Sequence, residues 1–221
     1  LQQKRTQSWD TPLNSVDAIH AFLVDNDEVL NQPSLTTIAL DGKVLPLPEA
    51  TAAVGYVKTT IDNPKASEIS FAKTSDGASW GAVYGQSLQP IAAVKSANAG
   101  IRVERTIETA GKSLRVGDKV KVTITIVADR DYDFVQLCDK RAACLEPVSH
   151  LSGYRNGYYL APQDNCTNYF FDRLSKGKHV VETEYFVDRP GSYLSGVCTA
   201  ECAYSPEFSG RAEAVQLVVN E

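Results

Sequence analysis

A chain of 221 residues, 43% hydrophobic and 22% charged, is ordinary globular material with room for one large domain or two small ones. Its formal charge of -5, with no long run of Lys and Arg, excludes the electrostatic footprint of a nucleic-acid binder or of a segment drawn to an anionic membrane. No apolar run reaches the roughly 18 residues of a spanning helix, so membrane insertion by this segment is not expected.

Residues 1–32 carry a helical period. Thr11 followed by Pro12 reads as an N-cap with Pro at the first helical position, and Leu13, Val16, Ile19, His20, Leu23 and Val24 recur on one face. The spacing predicts one amphipathic helix over 12–24. Such a helix cannot bury its stripe alone, so it packs on the following domain or closes a helical domain lying before residue 1. From Pro33 the period falls to two. Leu35 to Leu40 and Lys43 to Leu47 flank Asp41-Gly42, a strong hairpin signal, and Tyr56 to Ile61, Glu68 to Lys73 and Ser79 to Tyr84 follow. These short strands predict a small β-domain over 33–96. Ser87 to Gly100, with Pro90 and a run of small residues, reads as the boundary.

A second series of alternating segments follows: Ile101 to Glu108, Lys119 to Val127, Tyr132 to Cys138, Asn168 to Asp172, Lys178 to Val187, Tyr193 to Ala200 and Ala212 to Val219. In Lys119 to Ile126, Val120, Val122, Ile124 and Ile126 face inward while Lys119, Lys121, Thr123 and Thr125 face outward. The fold class predicted is mainly β. It is an immunoglobulin- or fibronectin-like seven-stranded antiparallel β-sandwich over 97–221, preceded by the smaller β-domain and a short amino-terminal helix. The long connection from Glu146 to Cys166 is expected to hide a short edge strand at Tyr158 to Leu160. Pro206 cannot donate a ladder hydrogen bond, so the strand carrying Cys198 is expected to end near Ala203 and leave Tyr204 to Phe208 on a loop.

Catalytic patterns are not found. His20, His150 and His179 are dispersed, and nucleophile elbow, phosphate loop, dinucleotide fingerprint and zinc-protease helix are all lacking. Asp129, Asp131, Asp133 and Asp139 could suggest calcium, but Asp129 to Asp133 lacks the Gly and distal Glu of a calcium loop and reads as a solvated strand connection. No cofactor is therefore expected, and the chain is read as not an enzyme. Cys138, Cys144, Cys198 and Cys202 lack the two-residue knuckle spacing of structural zinc sites, which leaves disulfides or free thiols. If the third and sixth strands of the sandwich lie side by side, the nested pairs Cys138 with Cys202 and Cys144 with Cys198 are favoured, with Cys166 free. The aromatics Tyr154, Tyr158, Tyr159, Tyr169, Phe170 and Phe171 are read either as a sugar-stacking platform or as strand packing.

Several motifs of the second series resemble, in order and rough spacing, the end of bacterial α2-macroglobulin-like proteins. They are Gly117-Asp118-Lys119-Val120, Arg141 to Val148, Leu151-Ser152-Gly153-Tyr154-Arg155, Thr167 to Asp172 and Tyr204-Ser205-Pro206-Glu207-Phe208. Thr6 to Thr11 with Asp17-Ala18-Ile19 resembles the last helix of that family's thioester domain, and Trp80-Gly81-Ala82-Val83-Tyr84 resembles the β-segment that links the two. The resemblance implies domains 1–32 (helical remnant), 33–96 (CUB-like linking segment) and 97–221 (macroglobulin-like sandwich). It implies a non-catalytic carboxyl-terminal module of a broad-range protease trap, whose partners are upstream domains of the same polypeptide and, through the whole protein, target proteases. It also implies an interdomain latch at Tyr204, Pro206, Glu207 and Phe208. The location implied is extracytoplasmic, in the periplasm or at the cell surface, with lipid anchoring through an amino terminus that this Met-less chain would lack. A reading from another class is a carbohydrate-binding or adhesive sandwich using the Tyr154 to Phe171 aromatics.

Overall fold

The computed structural model describes residues 12–24, 36–49, 56–74, 79, 81–108 and 113–221. These fall into two compact units, one within Trp9–Gln86 and one from Ser87–Glu221. Among the described residues no helix is long and apolar enough to cross a membrane.

The first unit holds the expected helix, α1 (Pro12–Val24), with Leu13, Val16, Ile19 and Val24 of its apolar stripe exposed. Its expected cap Thr11, the Thr6 to Thr11 motif and Trp80 lie outside the described residues. Strands β1 (Thr36–Leu40), β2 (Lys43–Val44) and β3 (Ile69–Lys73) form an antiparallel sheet in the order β2-β1-β3. Asp41 and Gly42 turn the hairpin with φ of 45° and 76°, the left-handed pair that a tight two-residue turn demands. The Asp41 carboxylate then accepts the Glu68 and Ser67 backbone N–H at 2.9 and 3.2 Å, fastening the hairpin to the start of β3. Two of the expected strands are not found. Tyr56 makes a single bridge with no strand through Ile61, and the described residues of Ser79 to Tyr84 form none.

The second unit is the β-sandwich. Its strands are β4 (Ala97–Ala99), β5 (Ile101–Glu108), β6 (Leu114–Arg115), β7 (Lys119–Ala128), β8 (Tyr132–Lys140), β9 (Leu145–Pro147), β10 (Gly153–Arg155), β11 (Tyr158–Pro162), β12 (Cys166–Leu174), β13 (Gly177–Val187), β14 (Gly191–Leu194), β15 (Cys198–Cys202), β16 (Ser205–Ala212) and β17 (Gln216–Asn220). A seven-stranded sheet runs β10-β11-β12-β8-β15-β16-β4, a four-stranded sheet β5-β7-β13-β9, and a three-stranded sheet β14-β17-β6. All pairings among these strands are antiparallel except β17 with β6.

Alternation explains the layering. Val120, Val122, Ile124 and Ile126 of β7 bury one face of the four-stranded sheet against Val135 and Leu137 of β8, Tyr169 and Phe171 of β12 and Ala200 of β15. Strand β13 adds Val181, Tyr185 and Val187 to that core and runs antiparallel to β7 from Gly177 opposite Ala128 to Phe186 opposite Lys119.

Strand partition departs from the sequence pattern at two places. Tyr193 to Ala200 is not one strand: β14 belongs to the three-stranded sheet and β15 to the seven-stranded one, with Ser195-Gly196-Val197 between. Ala212 to Val219 divides likewise between β16 and β17 across Glu213-Ala214-Val215. Both breaks converge on Arg105 of β5. Its guanidinium donates to Ser195 Oγ at 2.7 Å, Gly196 O at 2.8 Å and Glu213 O at 2.8 Å, and forms an ion pair with Asp139 of β8 at 2.7 Å. The side chains of Arg105 and Asp139 are only 1% and 2% exposed. The Glu146 to Cys166 connection contains β10 and β11, and the edge of the sheet is β10 rather than the expected Tyr158 strand.

Two expected outcomes test this frame. Asp139→Ala leaves a buried guanidinium without its counter-charge and should cost about 3–5 kcal/mol in urea unfolding, whereas Glu104→Ala, at the exposed pair with Arg102, should cost under about 1 kcal/mol. Gly210→Ala should lower the melting temperature with a loss of at least about 1–3 kcal/mol, because its Cβ would sit 2.0 Å from the backbone oxygen of Ile101 on the facing sheet.

Candidate functional site

The region around Tyr204 is a hairpin rather than a loop. Strand β15 ends at Cys202, as Pro206 led one to expect, but only Ala203 and Tyr204 form the turn, and β16 begins at Ser205. The ladder pairs Cys202 with Ser205 and resumes at Glu201 with Ser209. Pro206, Glu207 and Phe208 are thereby extruded as a bulge. A residue without an N–H is tolerated at that point because no partner strand asks it for a hydrogen bond.

Each side chain has a distinct environment. Tyr204 is 74% exposed, and its ring meets the Phe134 ring edge-on with centroids 5.4 Å apart. The Ala203 N–H donates to Phe134 O at 2.9 Å, tying the turn to β8. Phe134 has φ of 53°, a left-handed conformation that costs a bulky residue roughly 1–3 kcal/mol. Phe208 turns inward: its ring lies 5.5 Å from that of Tyr132 and the Arg130 guanidinium sits 5.5 Å above it. Pro206 and Glu207 are exposed.

The ground beneath the turn is acidic. Burial holds the Asp133 carboxyl above its ordinary range, and its buried Oδ2 has no hydrogen-bond partner among the described residues. Burial, followed by the charges of Glu207, Asp133 and Glu201, pushes the Cys202 thiol up to about 11, and at 4% exposure the thiol is closed to reagents in solution. Sequence reasoning found Tyr204, Pro206, Glu207 and Phe208 but not Phe134 or Asp133. The sole signal for those two is a strand pattern in which a left-handed Phe looks like any other alternating residue.

The expected cysteine pairs require correction. All five cysteines are free. Strand β8 does lie beside β15, yet Cys138 stands opposite Thr199 and Cys202 opposite Val135. The offset of three positions, roughly 10 Å along a strand, exceeds disulfide reach, and being odd it places the two thiols on opposite faces of the sheet. Cys144 lies in the turn before β9 of the four-stranded sheet, while Cys198 lies in the seven-stranded sheet opposite Asp139.

The aromatic group also divides. Tyr158 packs on Tyr169 and Phe171 in the core, whereas Tyr154, Tyr159 and Phe170 form a cross-strand row on the outer face, with Tyr154 and Tyr159 edge-on at 5.1 Å. His179 Nε2 hydrogen-bonds Ser175 O at 2.7 Å, while His20 is exposed on α1 and His150 is exposed in the segment between β9 and β10. Among the described residues no group of three His, Cys, Asp or Glu side chains is placed to hold a metal ion.

The sandwich is of the macroglobulin-like class. The chain belongs to the family described as the bacterial α2-macroglobulin MG10 domain, which matches residues 96–207 and so includes Tyr204 to Glu207. Similar solved structures include trypsin-activated α2-macroglobulin from Escherichia coli, 15% identical with a TM-score of 0.54 over 100% of this chain and 16% of that one. Salmonella α2-macroglobulin reacted with methylamine is 23% identical with a TM-score of 0.53, over 60% of this chain and 10% of that one. Native E. coli α2-macroglobulin from domain MG7 to the C-terminus is 20% identical with a TM-score of 0.51, over 60% and 25% respectively. At these identities the likeness is one of fold, and the chain spans at most 25% of these structures' lengths. No curated protein matches the chain.

The exposures of Tyr204 and Phe208 lead to opposite expectations in this chain. Tyr204→Gly should cost no more than the edge-on ring contact, about 0.5–1.5 kcal/mol, whereas Phe208→Ala should cost about 2 kcal/mol or more. Urea unfolding of the two variants checks the order. The reverse order would make Tyr204 a packing residue.

Proposed function

We propose that this chain is the non-catalytic carboxyl-terminal module of a macroglobulin-like, broad-range protease trap, and that its sandwich helps hold the native state by docking on upstream domains of the same polypeptide. Tyr204 carries the reading: a large aromatic ring is presented at 74% exposure on a hairpin tip, held edge-on against a residue in a strained conformation. Exposed aromatics fixed on rigid elements lose little conformational entropy on docking and are favoured as interface anchors. Membership of the MG10 family supports the assignment, as do fold relatives described as E. coli α2-macroglobulin activated by trypsin and by porcine elastase.

In this reading Tyr204 is the latch and Glu207 supports it from the rim. Pro206 keeps the bulge out of the ladder, and Phe208 anchors the hairpin to the sandwich. Residues 1–32 close a helical domain, 33–96 form a CUB-like linking segment, and 97–221 are the macroglobulin-like module. Target proteases engage the whole protein rather than this part, and the protein works outside the cytoplasm, in the periplasm or at the cell surface.

Tyr204→Gly in the full-length protein is the test. The upstream domains should become more susceptible to limited proteolysis and more reactive while the thermal transition of this module stays in place. Unchanged upstream proteolysis in that variant would remove the latch assignment.

A further inference from the structure

Cys138 of β8 and Cys166, the first residue of β12, are diagonal neighbours across one antiparallel ladder. Asn168 stands opposite Cys138 and Cys166 opposite Lys140, so the two cysteines share a face and sit two positions apart in register. That face is the outer one, because the residues flanking Cys138, Leu137 and Asp139, point into the sandwich and are buried. The two thiols are near enough to influence one another: burial comes first in raising the Cys138 thiol to about 11, and the neighbouring Cys166 thiol follows. Cys166 Sγ lies 3.6 Å from both Gln163 Oε1, to which it donates, and Asn168 Nδ2, from which it accepts. It opens its strand just after the turn at Gln163 to Asn165, where its carbonyl accepts from the Gln163 N–H at 2.8 Å and from Arg141 Nη1 at 2.9 Å, so side-chain rotation rather than backbone movement must close the remaining distance. Cys198 and Cys202 lie on the inner face of β15 and Cys144 in a turn of the other sheet, so none of them competes.

We propose that Cys138 and Cys166 are a redox pair that closes to a cross-strand disulfide by exchange with an external disulfide oxidant. Cys138, partly exposed where Cys166 is buried, attacks first: its thiolate displaces one thiol from the oxidant and forms a mixed disulfide. Cys166 then loses its proton and attacks the Cys138 sulfur, releasing the second thiol. Two protein thiols are oxidised by two electrons, the oxidant is reduced to two thiols, and the two protons end on these. The bridge would staple β12 to β8 on the face that carries Tyr159 and Phe170, at the end of the sheet where the Gln163 to Asn165 turn enters.

Trypsin makes the pairing readable. Cuts after Arg130, Lys140, Arg141, Arg155 and Arg173 put Cys138, Cys144 and Cys166 on separate peptides, and a fourth carries Cys198 with Cys202. The folded chain is incubated with oxidised glutathione, alkylated in denaturant and digested without reduction. The expected product is peptide 131–140 linked to peptide 156–173. Recovery of Cys138 and Cys166 on separate peptides, alkylated or carrying glutathione, overturns the proposal, as does a link from either to another cysteine. In Cys166→Ser, Cys138 should stop at the glutathione mixed disulfide. Full alkylation of Cys138 in that variant would overturn its role as the attacking thiol.

Discussion

The sandwich turns on one buried cation. Arg105 leaves β5 of the four-stranded sheet, crosses the layer and meets Asp139 of the seven-stranded sheet at 2.7 Å, while the same guanidinium binds Ser195, Gly196 and Glu213. Burying a carboxylate pushes its pKa up and the neighbouring guanidinium pulls it down, so Asp139 is tolerable inside only because Arg105 is there. Such a pair is weak evidence for net stability, since desolvation consumes most of the Coulombic gain. What it supplies is a unique arrangement. An apolar side chain at 105 could slide, whereas a planar fork whose two terminal nitrogens bond acceptors from β8, from the segment after β14 and from the segment after β16 fits one alignment of the two sheets.

That constraint also explains where local pattern succeeds and fails. β7 and β13 were legible because strict alternation, Val120 to Ile126 above all, is a property of the segment itself. The Asp41-Gly42 hairpin was legible for the same reason, its left-handed φ values being a demand that only a few residue types meet. Tyr193 to Ala200 and Ala212 to Val219 each read as one strand because nothing within them announces a change of sheet. The change is imposed from outside. Arg105, some ninety residues away from Ser195, takes up the Ser195 hydroxyl and the Gly196 carbonyl, and the Val215 N–H donates to that same hydroxyl. The partners of a long-range hub leave no periodic trace in sequence.

The candidate site was half legible for a related reason. Pro206 does forbid a regular ladder, and the strand before it does stop. A bulge, however, satisfies the same prohibition without ending the sheet, and sequence offers no means of choosing between a loop and a bulge. The cysteine register failed by a similar margin: β8 and β15 are neighbours, but the alignment is offset by three positions from the one that would pair Cys138 with Cys202. Since side chains alternate, an odd offset changes the face as well as the distance. Neighbouring strands were therefore correctly inferred while every side-chain contact drawn from them was not.

The bulge divides the hairpin's labour in a way a plain loop could not. With Pro206 to Phe208 extruded, Phe208 reaches back to Tyr132 and Arg130 while Tyr204, four residues earlier, projects outward from the two-residue turn. The anchor and the exposed ring thus belong to one rigid unit but contribute to different surfaces. Phe134 fits this arrangement. Its left-handed backbone persists because Val135, next in the chain, is paired on both sides, with Phe171 and Cys202, and the Ala203 N–H fixes the Phe134 carbonyl. The strain orients an aromatic platform against which the Tyr204 ring is set edge-on. In the docking proposed for it, a ring held in this way would give up little freedom, so the apolar area buried would be largely retained as binding free energy rather than spent on ordering the side chain.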